Sequence, residues 1–294
     1  MEYILHIAVI ALIYSILASS LNLVAGTTGL LSLCHAALFG IGAYATAILT
    51  AAHCPWPLAA LYAVCMSALL ALFIGALSLR LRGDAFAVTT FACQLIVADV
   101  LRNWQAMTNG PAGIKGIASP SIFGWIVSSR GAFLVLVVIT TFLVVMAIRI
   151  IVSSPFGRAC RAVREDEVLT LAAGKAVYGL RLVGFGISAS FAGLAGVLYA
   201  HYMTFIDPTS FTVMESIFVV SLVILGGAGS IWGPILGACL LVSLPEALRF
   251  IGLPAVAAGS LRQLLYGVAL VACMLWRPQG LIGEYAFGME AKPK

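Results

Sequence analysis

Three observations predict an all-α polytopic membrane protein. Hydrophobic residues make up 62% of the 294-residue chain and charged residues 9%, with a mean hydropathy of +1.11. Soluble domains carry roughly 45–50% apolar and about 25% charged residues. The apolar residues also gather into runs of the length that crosses a bilayer, about 20 residues at ~1.5 Å each. Finally, one long polar stretch, 153–181, interrupts them. The chain therefore reads as a single domain, 1–294, of about nine transmembrane helices within a range of eight to ten.

The nine expected spans lie near 4–26, 30–51, 57–79, 85–101, 132–151, 182–206, 213–229, 231–251 and 261–277. The first has no basic residues before it and exceeds a signal-peptide core, so it reads as a retained span. Turn or charge signals separate the rest: Gly26 to Gly29, His53 to Pro57, Arg80 to Asp84, the 102–131 loop, the central polar stretch, Asp207-Pro208, the 226–233 glycine cluster, Gly252 to Pro254 and Arg277-Pro278. With the N-terminus outside, eleven of the sixteen Lys and Arg residues fall on inner segments and five on outer ones. The positive-inside rule then puts the central stretch and the C-terminus in the cytoplasm. Basic residues at the ends of apolar runs report topology and form no nucleic-acid face.

Within the central stretch, Ser153 or Ser154 can cap a helix whose first position is Pro155. Phe156, Cys160, Val163, Val168 and Leu171 fall on one side, and Arg158, Arg161 and Arg164 step round the other. Arg161 stands four residues before Glu165, as a surface pair requires. The acidic run Glu165, Asp166, Glu167 suits the start of a second helical piece, which Gly174 can end in a left-handed cap. A short amphipathic helix pair outside the bilayer follows. It is either a solvated loop that fixes topology or a docking surface for another protein.

Chemistry within the chain is sparse. Gly174-Lys175 is followed by Ala176, and Leu169 stands where a first Walker glycine belongs, so no ATP site is readable. Seven cysteines (34, 54, 65, 93, 160, 239 and 273) form no C-x-x-C pair, and four histidines lack ligand spacing. Asn22, His35, Gln94 and Glu215 are the candidates for contact with a passing solute; polar residues in spans also fasten helices together. Asp99 lies near a helix end, and Glu246 has Arg249 one turn on. Residues 182–206 carry a stripe of Gly186, Ser190, Gly193 and Val197, with Ala189/Gly193 and Ala192/Gly196 as small-x-x-x-small pairs that predict close helix packing. Gly26 to Gly29 and Gly226 to Gly229 echo one another, but topology puts both on one side, which does not suit an inverted repeat.

Several ordered blocks resemble one known family: LNLVAGTTGLLSLCHAALFGIGAY (21–44), LRLRGDAFAVTTFA (79–92), TNGPAGIKGI (108–117), GRACRAVREDE with the following AAG, AGLAGVLYAHYMTFIDPTSFTVMES (192–216), LGGAGSIWGPILGACLLVSLPEALR (225–249) and WRPQGLIGE (276–284). The likeness is to the branched-chain amino acid ABC transporter permeases of the LivM type. It implies a permease subunit in a bacterial inner membrane that pairs with a second homologous permease, two ATPase subunits that hold ATP and Mg, and a substrate-binding protein. It also implies that Arg158 to Gly174 couples to the ATPases, with Arg161, Arg164, Glu165, Asp166, Glu167 and Gly174 the best-matched positions. The chain departs from the family where Gln94-Leu95 and Ala98 replace a Gly-Glu pair and a following arginine, and where Ala112 replaces an acidic residue. Relatives that carry urea, short amides or other amino acids leave the solute open. A self-sufficient ion-coupled carrier using Asp99, Glu215 and Glu246, and a scaffold without transport, are the competing readings.

Overall fold

A computed structural model describes residues 2–80, 85–122, 125–127, 129–249, 264, 266–268, 270, 271, 275 and 279–283. In chain order the elements are α1 (Glu2–Thr28), α2 (His35–Ala51), α3 (Trp56–Ser78), α4 (Ala85–Asn103), α5 (Gln105–Thr108), β1 (Ile114–Lys115), β2 (Ser121–Ile122), β3 (Trp125–Ile126), α6 (Arg130–Ser153), α7 (Pro155–Glu165), α8 (Glu167–Ala172), α9 (Val177–Met203), β4 (Phe205–Ile206), α10 (Val213–Gly226) and α11 (Gly233–Arg249). Helices α1, α3, α4, α6 and α9 are long and apolar enough to cross a membrane; α2, α10 and α11 are apolar but shorter. The Glu246–Arg249 pair and more than half of the expected ninth span, 261–277, fall outside the residues or side chains described, as do most of the Arg80 to Asp84, Gly252 to Pro254 and Arg277-Pro278 boundaries.

Backbone-to-backbone packing fixes the centre of the bundle. A Cβ on Gly42 of α2 would lie 2.3 Å from the Gly193 carbonyl of α9, and one on Gly196 would lie 2.1 Å from the Phe39 carbonyl. Gly193 also receives the Ser67 side chain of α3, Gly186 abuts Leu72, and Val197 packs with Ala60 and Ala63. The small-residue stripe read in 182–206 is thus the seam that seats α9 against α2 and α3. Lipid tails are as apolar as leucine, so this close approach, more than hydrophobic burial, holds such helices together.

Two expected spans are corrected. The second was expected at 30–51, but its helix begins only at His35. Gly29, at φ +73, turns the chain out of α1, and residues 29–34 run without helix. The seventh, expected at 213–229, is a 14-residue helix that Gly227 ends at φ +108; before it lies an irregular stretch with a single turn at Pro208–Phe211. Proline and the extended backbone of Asp207 and Thr212 keep helix out of that stretch.

These breaks reveal a relation the glycine echo did not capture. Residues 2–51 form a 27-residue helix, a break and a shorter helix; so do residues 177–226. Helices α1 and α9 run antiparallel, with His6 beside Tyr202 and Ser20 beside Ser188, so the two units are inverted with respect to each other. The glycine clusters at 26–29 and 226–229 instead meet on one side: a Cβ on Gly26 would lie 2.9 Å from the Gly229 Cα.

Replacing Gly196 with alanine is expected to lower stability by about 1–3 kcal/mol through overpacking against backbone. Gly131→Ala, where an added Cβ meets nothing within 4 Å, is expected to stay within about 0.5 kcal/mol of the parent. Thermal unfolding of the two variants in detergent checks the contrast.

Candidate functional site

The two shorter helices begin inside the bundle, at a junction built on Gln94. This α4 side chain is fully buried; its Oε1 accepts from the Ala37 N–H at 2.7 Å and the Ser216 hydroxyl at 3.2 Å, while its Nε2 donates to the Phe211 carbonyl at 2.9 Å. The Ser216 hydroxyl in turn accepts from the Ala36 N–H at 3.0 Å. A helix start leaves its first N–H groups without intrahelical partners. Here one amide and one hydroxyl satisfy two of them for α2 and tie that end to the first turn of α10.

His35 opens α2 beside this junction and is fully buried. One ring nitrogen meets Ser32 Oγ at 3.2 Å and the other Ser188 Oγ at 3.0 Å; Ser188 then donates to the Ser20 carbonyl of α1. Since Ser20 lies eight residues before the end of α1, the start of α2 sits about 12 Å into the bundle.

Glu215, half-buried in the first turn of α10, accepts a hydrogen bond from the Tyr14 hydroxyl of α1, whose ring lies edge-on to Phe218. Asn22 stands nearer the other end of α1. Its Oδ1 accepts from the Gly229 N–H at 2.9 Å and its Nδ2 donates to the Ser230 carbonyl at 2.8 Å. The four candidate path residues therefore sit on α1, α2, α4 and α10, each hydrogen-bonded to another element, Asn22 to the turn between α10 and α11. Asp99 is exposed and lies apart from them. Their hydroxyl partners Tyr14, Ser188 and Ser216 were missed in the sequence, where a lone hydroxyl in an apolar run carries no periodic signal.

The polar stretch 153–181 lies at the end of the bundle where α1 finishes. Ser154 caps α7 by accepting from the Gly157 N–H, with Pro155 next, and Asp166 caps α8 by accepting from the Leu169 N–H. Gly174, at φ +76, ends α8: its N–H reaches the Leu171 carbonyl, and the Lys175 N–H reaches the Thr170 carbonyl. Gly157, Cys160 and Val163 are buried beneath α7, and burial pushes the Cys160 thiol up to about 11.

Two expectations are corrected here. Val168 and Leu171 do not continue the buried side of α7: with Leu169 they are exposed by 76%, 53% and 71%. The extended backbone of Asp166, φ −152 and ψ 109, re-aims α8 and turns them outward. Nor does Arg161 pair with Glu165; it donates to the Val152 carbonyl at 3.1 Å, as Arg158 donates to that of Ser153 at 2.9 Å. Glu167 instead holds Arg181 of α9 at 3.0 Å, while Arg158, Glu165, Asp166, Glu167 and Gly174 remain exposed. Arg164 turns inward and donates to the Gly26 carbonyl.

Inverted broken-helix units, polar junctions within an apolar bundle and a capped polar helix pair at one end are the build of a membrane transport protein. Residues 3–274 match the family described as the branched-chain amino acid transport system permease component. The chain belongs to that family. It is 37% identical over 94% of its length to a relative from Escherichia coli strain K12 named high-affinity branched-chain amino acid transport system permease protein LivM, covering 69% of that protein. It is 30% identical over 76% of its length to a probable LivM of Methanocaldococcus jannaschii, covering 68% of it. Similarity to the permease protein LivH of Salmonella typhimurium is 26% over 92% of this chain and 91% of that one. No solved structure matches the chain significantly.

Changing Gln94 to leucine strands the Ala37 N–H and the Phe211 carbonyl in an apolar interior. An expected loss of about 2–6 kcal/mol, from ~1–3 kcal/mol for each of the two buried unsatisfied groups, is measurable by thermal unfolding. Cys160 is held protonated by burial, so N-ethylmaleimide at pH 8 is expected to leave it unmodified in the folded protein and to label it after unfolding, read by peptide mass spectrometry.

Proposed function

We propose that this chain is one permease subunit of an ATP-driven importer in a bacterial inner membrane, carrying branched-chain or related apolar amino acids inward. A second, homologous permease subunit completes the path, a binding protein delivers solute at the outer face, and two separate ATPase subunits hold ATP and Mg. The observation that carries this reading is the α7–α8 surface. It places exposed Val168, Leu169 and Leu171 among Glu165, Asp166, Glu167 and Lys175, outside the apolar bundle and on a chain without a readable nucleotide motif. Apolar side chains so presented, ringed by charge, have the composition of a protein docking site. The names of the LivM and LivH relatives support the solute class and the pairing of two permease types.

In this scheme closure of the ATPases on ATP moves α7 and α8. The bundle responds where its two inverted units meet, because the junction at Gln94 and Ser216 joins the starts of α2 and α10. Exchange of the open side then follows from rocking one unit against the other.

Coexpression with the ATPase subunits tests the docking surface. Leu169→Asp is expected to cut their copurification at least about tenfold, as loss of a buried apolar anchor does at interfaces, while the chain keeps its size-exclusion profile. Full retention of the ATPases by Leu169→Asp would remove α8 from the interface.

A further inference from the structure

The arginines of α7 do not share one role. Arg158 and Arg161 bond the carbonyls of Ser153 and Val152, at the end of the helix that leads into α7. Arg164 reaches across to a different transmembrane helix, its Nη1 donating to the Gly26 carbonyl of α1. That carbonyl is among the last four of α1, which have no intrahelical partner and carry the negative end of the helix dipole. The last turn of α1 supplies no basic residue of its own, so the charge arrives from α7.

The surroundings are shaped for this contact. Gly29 lies under the Arg164 stem: a Cβ there would stand 3.2 Å from Arg164 Cγ, and the φ of +73 already favours glycine. The far side of Gly26 rests on Gly229, whose Cα and N would both lie 2.9 Å from an added Cβ. One turn back, Asn22 clamps the Gly229 N–H and the Ser230 carbonyl. The guanidinium therefore grips a point where the end of α1 and the turn between α10 and α11 are already locked together. Twelve residues up α1, about 18 Å away, the Tyr14 hydroxyl holds Glu215 at the start of α10.

We infer that Arg164 is a positioning residue that carries movement of the α7–α8 pair into α1 and the α10–α11 turn, separately from the outward surface that docks the ATPases. The inference rests on the importer reading. It divides the polar stretch into an outer face of Val168, Leu169 and Leu171 that binds and an inner arginine that transmits. A docking residue and a transmitting residue fail differently: loss of the first removes the ATPases, and loss of the second leaves them bound and hydrolysing without moving solute.

The test uses the complete complex, with both permeases, the ATPases and the binding protein, in proteoliposomes supplied with radiolabelled L-leucine. Arg164→Met keeps the stem over Gly29 and removes the charged donor; Arg164→Lys keeps the charge with a different reach. Arg164→Met is expected to retain its ATPase subunits and hydrolyse ATP, while leucine moved per ATP falls about tenfold, within the usual size of coupling between sites. Arg164→Lys is expected to fall about threefold on the same ratio. An unchanged ratio in Arg164→Met overturns the inference, as does loss of the ATPases from a chain with parental size-exclusion behaviour. Should Arg164→Met fail to fold, Arg164→Lys decides: a parental ratio overturns the inference and a reduced one supports it. Failure of the parent complex to assemble or to use ATP for uptake would sink the importer reading and is distinguishable from all of these.

Discussion

The structure depends on how the backbone is satisfied where two helices begin inside an apolar bundle. In hydrocarbon an unpaired N–H or carbonyl costs several kcal/mol, so irregular backbone survives only where protein groups meet it. At residues 29–34 and 205–212 those groups are few and specific. Gln94 and Ser216 take the Ala37 and Ala36 N–H groups of α2, Gln94 holds the Phe211 carbonyl, and Thr90 accepts from the Leu33 N–H. One glutamine thus binds together elements from both inverted units.

Close helix packing supplies the complementary constraint. Gly42 against Gly193 and Gly196 against Phe39 bring backbones together on α2 and α9, leaving no room for a side chain between them. Other seams are fastened by discrete hydrogen bonds. The α1 contacts are of that kind: Tyr14 to Glu215, Asn22 to the 229–230 turn, and Gly26 to Arg164. Such bonds have alternatives within reach of a rotamer change, whereas a glycine seam has none.

Much of this was legible in the sequence, for identifiable reasons. Apolar run length set the long helices within a few residues, since the bilayer imposes it. A cap at Ser153 or Ser154, of which Ser154 serves, the acidic opening of α8 and the left-handed Gly174 were readable because they are local, as was the stripe at Gly186, Gly193 and Val197 because it is periodic, while Asp166 as the cap of α8 was not singled out. The broken start of α2 was not, because 29–34 is as apolar as helix and is held by partners distant in sequence, Thr90 at Leu33 and Gln94 at Ala37, whereas the start of α10 at Val213 was marked locally by Asp207-Pro208. The outward turn of Val168 and Leu171 was hidden for a similar reason: helical periodicity was carried across Asp166, where one extended residue resets it. Arg164 read like its neighbours Arg158 and Arg161, since nothing in the local pattern foretells that the Gly26 carbonyl, 138 residues away in sequence, accepts its hydrogen bond.

The central claim is that this chain moves solute only as the membrane part of an ATP-driven assembly. The most direct measurement is uptake of radiolabelled L-leucine into proteoliposomes holding the chain alone, under an imposed proton or sodium gradient, set against the full complex with ATP inside the ATPase-accessible compartment. The account predicts no uptake by the lone chain under either gradient and ATP-dependent uptake by the complex. Gradient-driven leucine uptake by the isolated chain would contradict it and make Glu215 and its α1 partner the centre of a different mechanism.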